Sequence, residues 1–229
     1  MSRMGALAIF VKTPGLSPIK TRLANTMGRQ FAEGFHLKSS AAVAEIAQKA
    51  GQINKFQCFY AVAEDDALDH EYWQKIPRLW QGHGGLGKRM EKIYHELLDD
   101  FNYVILIGAD IPQMTVDHLS SVSAWLETQT QDRLALAPSL DGGFWLVGGN
   151  CIIPERIWTD VTYSTSNTGK QFAEKIKTLG RFKWFDTLTD IDEQKDLTNL
   201  HDSLFNMSET LPAQQELLRY LLRVETSIP

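Results

Sequence analysis

One run of residues constrains the fold more than any other: Tyr103–Gly108, Tyr-Val-Ile-Leu-Ile-Gly, apolar without alternation and followed at once by Ala109-Asp110. A strand that is apolar on both faces must be covered on both faces. That is the situation of a parallel sheet held between layers of helices. Ala6–Val11 has the same character and ends in a Pro/Gly loop. Phe56–Ala63, Arg78–Trp80, Leu134–Ala137, Phe144–Val147 and Arg181–Phe185 read as further strands.

Helical stretches lie between these runs. One starts near Lys20, and others span Arg29–Ala50, Asp65–Gln74, Lys88–Phe101, Thr115–Gln129 (capped by Thr115) and Thr168–Leu179. The segment Asp190–Leu197 opens another, and Pro212–Val224 reads as a surface helix. Strands alternating with helices predict an α/β fold with three layers, α/β/α, around a mostly parallel sheet. No linker, repeat or shift of composition divides the 229 residues, so a single domain spanning 1–229 is expected.

Composition narrows the function classes. A net charge of −5 leaves no basic footprint for nucleic acid. A local basic loop can still bind a small anion. No run approaches the length of a membrane span, and Met1–Lys12 lacks the pattern of a secretion signal, so a cytoplasmic protein is expected. Cys58 and Cys151 stand alone in apolar stretches and read as buried core thiols. The six Trp likewise read as core rather than as base-stacking residues.

In open α/β sheets, ligands bind beyond the carboxyl ends of the strands, so the polar residues after each apolar run matter most. Lys12–Leu23 follows the first strand and carries Lys12, Gly15, Lys20 and Arg22. Cations beside a loop-to-helix junction suit a diphosphate, and exposed surface charges are the plainer alternative. Gln81–Met90 holds four glycines, including Gly84 and Gly87, and then Lys88 and Arg89. It reads as a functional loop or a flexible turn, with His83 a solvated loop residue. Asp110 ends the most apolar strand, where one carboxylate is enough to anchor Mg²⁺; the alternative is a helix cap. Asp141 sits in a DGG turn, to contact ligand or to bond its own backbone. Of Phe144 and Trp145, one should face the core and the other the pocket. Asp190 and Asp192, two residues apart on extended chain, point to one side and offer Asp110 a second and third carboxylate; Asp192 alternatively caps the next helix.

Taken in order, Lys12–Leu23, Gln81–Met90, Gly108–Pro112, Asp141–Phe144 and Asp190–Leu197 resemble one family of glycosyltransferase-like bacterial proteins. It is known as DUF2064 or radical-SAM/selenodomain-associated transferase 1, and is also labelled an arsenosugar biosynthesis glycosyltransferase. The resemblance covers about residues 5–200 and leaves 201–229 as a helical extension. It implies the nucleotide-diphospho-sugar transferase (GT-A) fold. Lys12, Lys20 and Arg22 would then face the nucleotide phosphates, and Gly15, Gly84, Gly87 and Arg89 would help hold the nucleotide. Asp110 would bind Mg²⁺ or Mn²⁺ with Asp190 or Asp192, and the turn at Asp141 would help form the acceptor pocket. Two positions depart from the family pattern: Gly85 replaces the usual Asp, and Tyr163-Ser164-Thr165 stands for Trp-Gly-Thr or Trp-Ser-Thr.

The resulting expectation is a metal-dependent transferase that moves a sugar from a nucleotide sugar to a small acceptor. A nucleotidyltransferase joining an NTP to a phosphorylated or carboxylated molecule is the first alternative. A non-catalytic nucleotide-binding protein is the second, and the full set of acidic positions counts against it.

Overall fold

The computed structural model describes residues 4–128 and 130–225. Strands β1 (Gly5–Val11), β2 (Phe56–Val62), β3 (Arg78–Trp80), β4 (Val104–Gly108), β5 (Arg133–Pro138), β6 (Phe144–Gly149) and β7 (Arg181–Trp184) form one seven-stranded sheet in the order β3-β2-β1-β4-β6-β5-β7. All run parallel except β6, which is antiparallel to both β4 and β5. The helices are α1 (Thr21–Met27), α2 (Arg29–Asn54), α3 (Leu86–Leu98), α4 (Val116–Leu126), α5 (Glu155–Thr159), α6 (Thr168–Ile176), α7 (Gln194–Phe205) and α8 (Pro212–Glu225).

The alternation hidden in the apolar runs is resolved by the pleat. Leu7, Ile9, Val11, Ile105 and Ile107 point to one face, where α2 and α4 cover them with Val43, Ile46, Leu119 and Val122. Ala6, Ala8, Val104 and Leu106 point to the other, against Met90, Ile93 and Leu97 of α3, Trp158 of α5 and Phe172 of α6. A third cluster lies around α1, α2, α7 and α8, built on Leu23, Phe35, Ile191, Leu204 and Leu217.

Three expectations about elements change. Asp65–Gln74 forms two single turns of 3-10 helix, Asp65–Ala67 and Glu71–Trp73, rather than one helix. Its two buried anchors, Ala67 and Trp73, are six residues apart and make no helical stripe, and the Trp73 indole is fixed by donating to Thr13 Oγ1 at 2.9 Å. Helix α5 was not expected: it has five residues, too few to show a period. Helix α8 does more than lie on the surface. Leu217 and Leu221 are buried, and Gln214 donates to the carbonyls of Pro112 (2.8 Å) and Met114 (3.3 Å), just after the strand that carries Asp110. Elsewhere the elements fall within a few residues of expectation. Helix α4 carries a full capping box between Thr115 and His118. The expected end of that helix, Gln129, lies outside the described residues. Among the described residues no helix is long and apolar enough to cross a membrane.

Both cysteines are free; Cys58 is buried, with burial pushing its thiol up to about 12, but Cys151 is only half-buried. Trp73, Trp145 and Trp158 are core residues as expected, while Trp184 is 48% exposed on the edge strand β7.

Candidate functional site

The strand order reverses between β1 and β4, and the crevice outside their carboxyl ends is where this class of sheet binds ligands. A cleft of about 790 Å³ opens there, and Lys12, Lys20, Arg22, Asp110, Asp141, Asp190 and Asp192 all line it.

Asp110 is placed by three features of its neighbourhood. Strand β4 delivers the backbone to the edge of the sheet. A Cβ on Gly108 would lie 2.5 Å from Asp110 Oδ1, so the glycine leaves the carboxylate room to sit where it does. Ser39 of α2 then donates to the carbonyl of Ala109 at 2.6 Å and pins the bend.

The acidic pair arrives from 80 residues away in sequence by a backbone contact. Ile191 N–H donates to the carbonyl of Asp110 at 3.1 Å, while the Ile191 side chain is buried in the third cluster. The flanking carboxylates are thereby brought beside Asp110. Oxygens of Asp110, Asp190 and Asp192 lie within 4.8 Å of one another. Asp192 does not cap the following helix. Glu193 is the N-cap of α7, in a capping box with Asp196, whose carboxylate also accepts from Asp192 N–H at 3.0 Å. The Asp192 side chain turns to the cleft and not to the helix end.

Lys20 closes the cluster. Its Nζ donates to Asp110 Oδ2 at 3.1 Å and to Asp192 Oδ1 at 3.0 Å, with the side chain only 7% exposed. Arg22 reaches Asp192 Oδ2 at 3.6 Å and is otherwise open to solvent. Lys20 adopts left-handed backbone angles, φ 45° and ψ 50°, at the start of α1. That conformation is uncommon for a side chain with a Cβ and is tolerated where the surroundings fix it. Helix α1 has seven residues and no acidic or side-chain cap, so the cations rather than the helix end dominate the charge of this loop.

The electrostatics follow from this crowding. Burial would raise the Asp110 pKa, but the Lys20 ammonium more than offsets it and the carboxyl is held below its ordinary value. Burial opposes charge on Lys20 as well, and the two carboxylates outweigh it, so its pKa is raised. Asp190 has no such partner among the described residues. Burial, then the charges of Asp110, Asp141 and Asp192, push it up to about 6. Three oxygen donors with surplus negative charge suit a hard divalent cation.

Other expected residues divide. Asp141 lines the cleft and also accepts from Gly143 N–H at 2.8 Å, so the turn and cleft placements coexist. Gly142 has φ 90°, and a Cβ there would meet the Ser166 carbonyl at 2.0 Å; the DGG turn is seated on the loop before α6. Phe144 and Trp145 both reach the cleft, but Trp145 is mostly core and donates to the Asp186 carbonyl at 3.0 Å. Ser164, at the position where the family uses Gly or Ser, has φ 61° and lines the cleft between Tyr163 and Thr165.

Gly15, Gly84, Gly87 and Arg89 are not among the residues lining the cleft. Gly87 instead lets α3 approach the Trp158 carbonyl, and Arg89 donates to the Gly84 carbonyl at 3.0 Å, tying its own loop. His83 is exposed, edge-on to Trp80.

His36 of α2 was not foreseen. It lines the cleft, sits 2.9 Å from the Lys12 carbonyl, and is held down to about 4 by burial and then by the Lys20 charge. A signal was present: His36, Ser39 and Ser40 are polar residues on the otherwise apolar buried face of a helix.

The sheet order, the single antiparallel strand and a cleft at the switch point define the nucleotide-diphospho-sugar transferase type of fold. The chain belongs to the DUF2064 family, described as an uncharacterized protein conserved in bacteria, whose model matches residues 43–165, more than half of the chain. That match contains the segments at Gln81, Gly108 and Asp141; those at Lys12 and Asp190 lie outside it. A candidate nucleotide-diphospho-sugar transferase from Desulfovibrio desulfuricans G20 superposes with a TM-score of 0.84 at 21% identity, covering 99% of this chain and 98% of that one. A nucleotidyl transferase from Methanothermobacter thermautotrophicus gives 0.56 at 11% identity over 87% and 96%. CMP:2-keto-3-deoxy-manno-octonic acid synthetase, solved with CTP, gives 0.51 at 7% identity over 86% and 96%. At these identities the likeness is one of fold. No curated protein matches the sequence.

Proposed function

We propose that the protein is a metal-dependent glycosyltransferase that moves a sugar from a nucleotide diphosphate to a small acceptor. The observation that carries this reading is the Ile191-to-Asp110 backbone bond, which gathers three carboxylates beside Lys20 at the switch point of the sheet. Oxygens on opposite sides of an ion with ligand distances of about 2.1 Å are about 4.2 Å apart. The 4.8 Å span of the Asp110, Asp190 and Asp192 oxygens is close to the reach of one ion.

In this reading Asp110, with Asp190 and Asp192, holds Mg²⁺ or Mn²⁺. The ion, when bound, offsets the charge on the diphosphate leaving group. Lys12, Lys20 and Arg22 face the phosphates and stabilise the negative charge that grows there as the sugar departs. The DGG turn with Asp141 forms the acceptor end. The preferred partners are a nucleotide sugar and a small molecule, with no nucleic acid and no membrane.

Nucleotidyl transfer from an NTP is the second reading. It is favoured by the convergence of two separate acidic segments, which offers carboxylates for a second ion. A thermal-shift panel of NTPs and UDP-, GDP- and ADP-sugars, with and without Mn²⁺, separates the two, because a ligand that binds the native state raises its melting temperature. Glycosyl transfer requires Mn²⁺-dependent shifts with nucleotide sugars. Shifts with NTPs alone would transfer the assignment to the second reading.

A further inference from the structure

The three clustered carboxylates are not equally open to a ligand. Lys20 Nζ bonds Asp110 Oδ2 at 3.1 Å and Asp192 Oδ1 at 3.0 Å, and Arg22 Nη1 stands 3.6 Å from Asp192 Oδ2. Three of the four oxygens on Asp110 and Asp192 therefore face a cation of the chain itself. Among the described residues no cation bonds Asp190. Lys20 is the stronger clamp. Its side chain is 7% exposed against 65% for Arg22, so little water screens its two bonds. Its backbone is held left-handed, φ 45° and ψ 50°, one residue before α1, which a residue with a Cβ keeps only where its surroundings fix it.

A divalent ion and the Lys20 ammonium need the same oxygens. Cations held close together in a poorly solvated site repel strongly. An ion that enters by itself must therefore break two charge-assisted bonds and leave a buried ammonium without a partner. A phosphoanhydride that enters with the ion removes this penalty. Its oxygens accept from Lys20 and Arg22 while others ligate the ion. Lys12 differs from Lys20 in this respect. It lines the same cleft, but its Nζ donates to the Pro18 carbonyl at 3.4 Å and makes no bond to the three carboxylates.

We propose that Lys20 is a specificity-determining residue: it guards the cluster of Asp110, Asp190 and Asp192 against a free divalent cation and yields it to one that arrives with a phosphoanhydride. This coupling rests on the metal and phosphate sites of the transferase reading above. The ligand of the cleft is then the ion and the phosphoanhydride as a unit. Each tightens the other by the same factor, because a coupling between two bound groups is reciprocal. Lys20 moves from carboxylate to phosphate oxygen as the unit binds, so one ammonium serves both the empty and the filled cleft.

The test compares binding of free Mn²⁺ to the native chain, Lys20→Met, Lys20→Gln and Lys12→Met. Electron paramagnetic resonance follows the unbound ion, and circular dichroism checks that each chain is folded. Lys20→Met should bind free Mn²⁺ at least about ten-fold more tightly than the native chain, inside the range of about 5–150-fold usual for coupled sites. Lys20→Gln, which can still donate to one carboxylate, should fall between the two, and it reads the effect if Lys20→Met does not fold. Lys12→Met removes a cleft charge without releasing a carboxylate and should tighten the ion much less. Magnesium pyrophosphate, titrated as the preformed complex by calorimetry, should respond in the opposite sense and bind Lys20→Met more weakly than the native chain. The inference is overturned if both Lys20 variants bind free Mn²⁺ no more tightly than the native chain or no more tightly than Lys12→Met. Tighter binding of magnesium pyrophosphate by Lys20→Met than by the native chain overturns it as well. Failure of every chain to bind Mn²⁺ overturns the metal site of the proposed function and the guard with it. Failure of magnesium pyrophosphate alone to bind the native chain counts against the proposed phosphate site, and the Mn²⁺ contrast still decides whether Lys20 guards the carboxylates.

Discussion

Replacing Lys20 with methionine separates the structural from the ligand-binding demands on the acidic cluster. The Lys20 ammonium bonds Asp110 and Asp192 at 3.1 and 3.0 Å from a side chain only 7% exposed. Breaking a buried pair by removing one partner costs about 3–5 kcal/mol, because the other charge is stranded. Here the two carboxylates are 34% and 39% exposed, so water screens part of the loss. The expected cost is therefore about 2–3 kcal/mol. For a chain of this size that lowers the melting temperature by about 4–12 °C. Calorimetry in EDTA measures it. Adding Mn²⁺ should then raise the melting temperature of Lys20→Met at least as much as that of the native protein, since the same oxygens remain to be neutralised. At about 100 times its Kd a metal adds about 2.7 kcal/mol to the folded state. A cost below about 0.5 kcal/mol, or a variant that Mn²⁺ leaves unmoved, would mean that these carboxylates need no cation among them.

The same geometry sets other outcomes. His36 holds a proton only below about 4 in the fold, against 6.5 ordinarily, so the unfolded chain binds more protons between those values. Its contribution to stability is complete above about pH 6.5 and is lost as pH falls towards 4, by up to about 3 kcal/mol; in His36→Gln the slope of urea-unfolding free energy over that interval should flatten. Gln214→Leu strands the Pro112 and Met114 carbonyls and should cost about 2–3 kcal/mol by denaturant titration, while weakening Mn²⁺ binding through the loop after Asp110. Gly142→Ala forces a Cβ to 2.0 Å from the Ser166 carbonyl at φ 90°, and a loss of about 2–4 kcal/mol is expected; a melting temperature equal to that of the native protein would contradict the seating of the turn.

The sheet was legible because its central strands are apolar on both faces, a pattern visible in Tyr103–Gly108 and Ala6–Val11 without any partner in view. Asp110 was legible for the same reason: a charge ending such a run must stand at the sheet edge. The spacing of Asp190 and Asp192 gave away their common direction, but not the Ile191 backbone bond that delivers them, since hydrogen bonds between distant segments leave no local mark. The glycine loop showed its glycines and cations but not their contacts. Gly87 lets α3 approach the Trp158 carbonyl and Arg89 ties its own loop, and both partners lie outside any local pattern. Helix α5 was too short to display a period, and the Asp65–Gln74 segment had polar content without a stripe. The docking of α8 through Gln214 was invisible because a single buried amide in an amphipathic helix reads as one more exposed glutamine.

In the proposed function Asp110 anchors a cation that in turn holds a nucleotide. The most direct test is Mn²⁺-dependent nucleotide binding to Asp110→Ala, measured by calorimetric titration beside the native protein, with circular dichroism to show that both are folded. The native chain should bind a nucleotide sugar more tightly with Mn²⁺ than without, and Asp110→Ala should lose this difference. Unchanged Mn²⁺-dependent binding in the folded variant would contradict it.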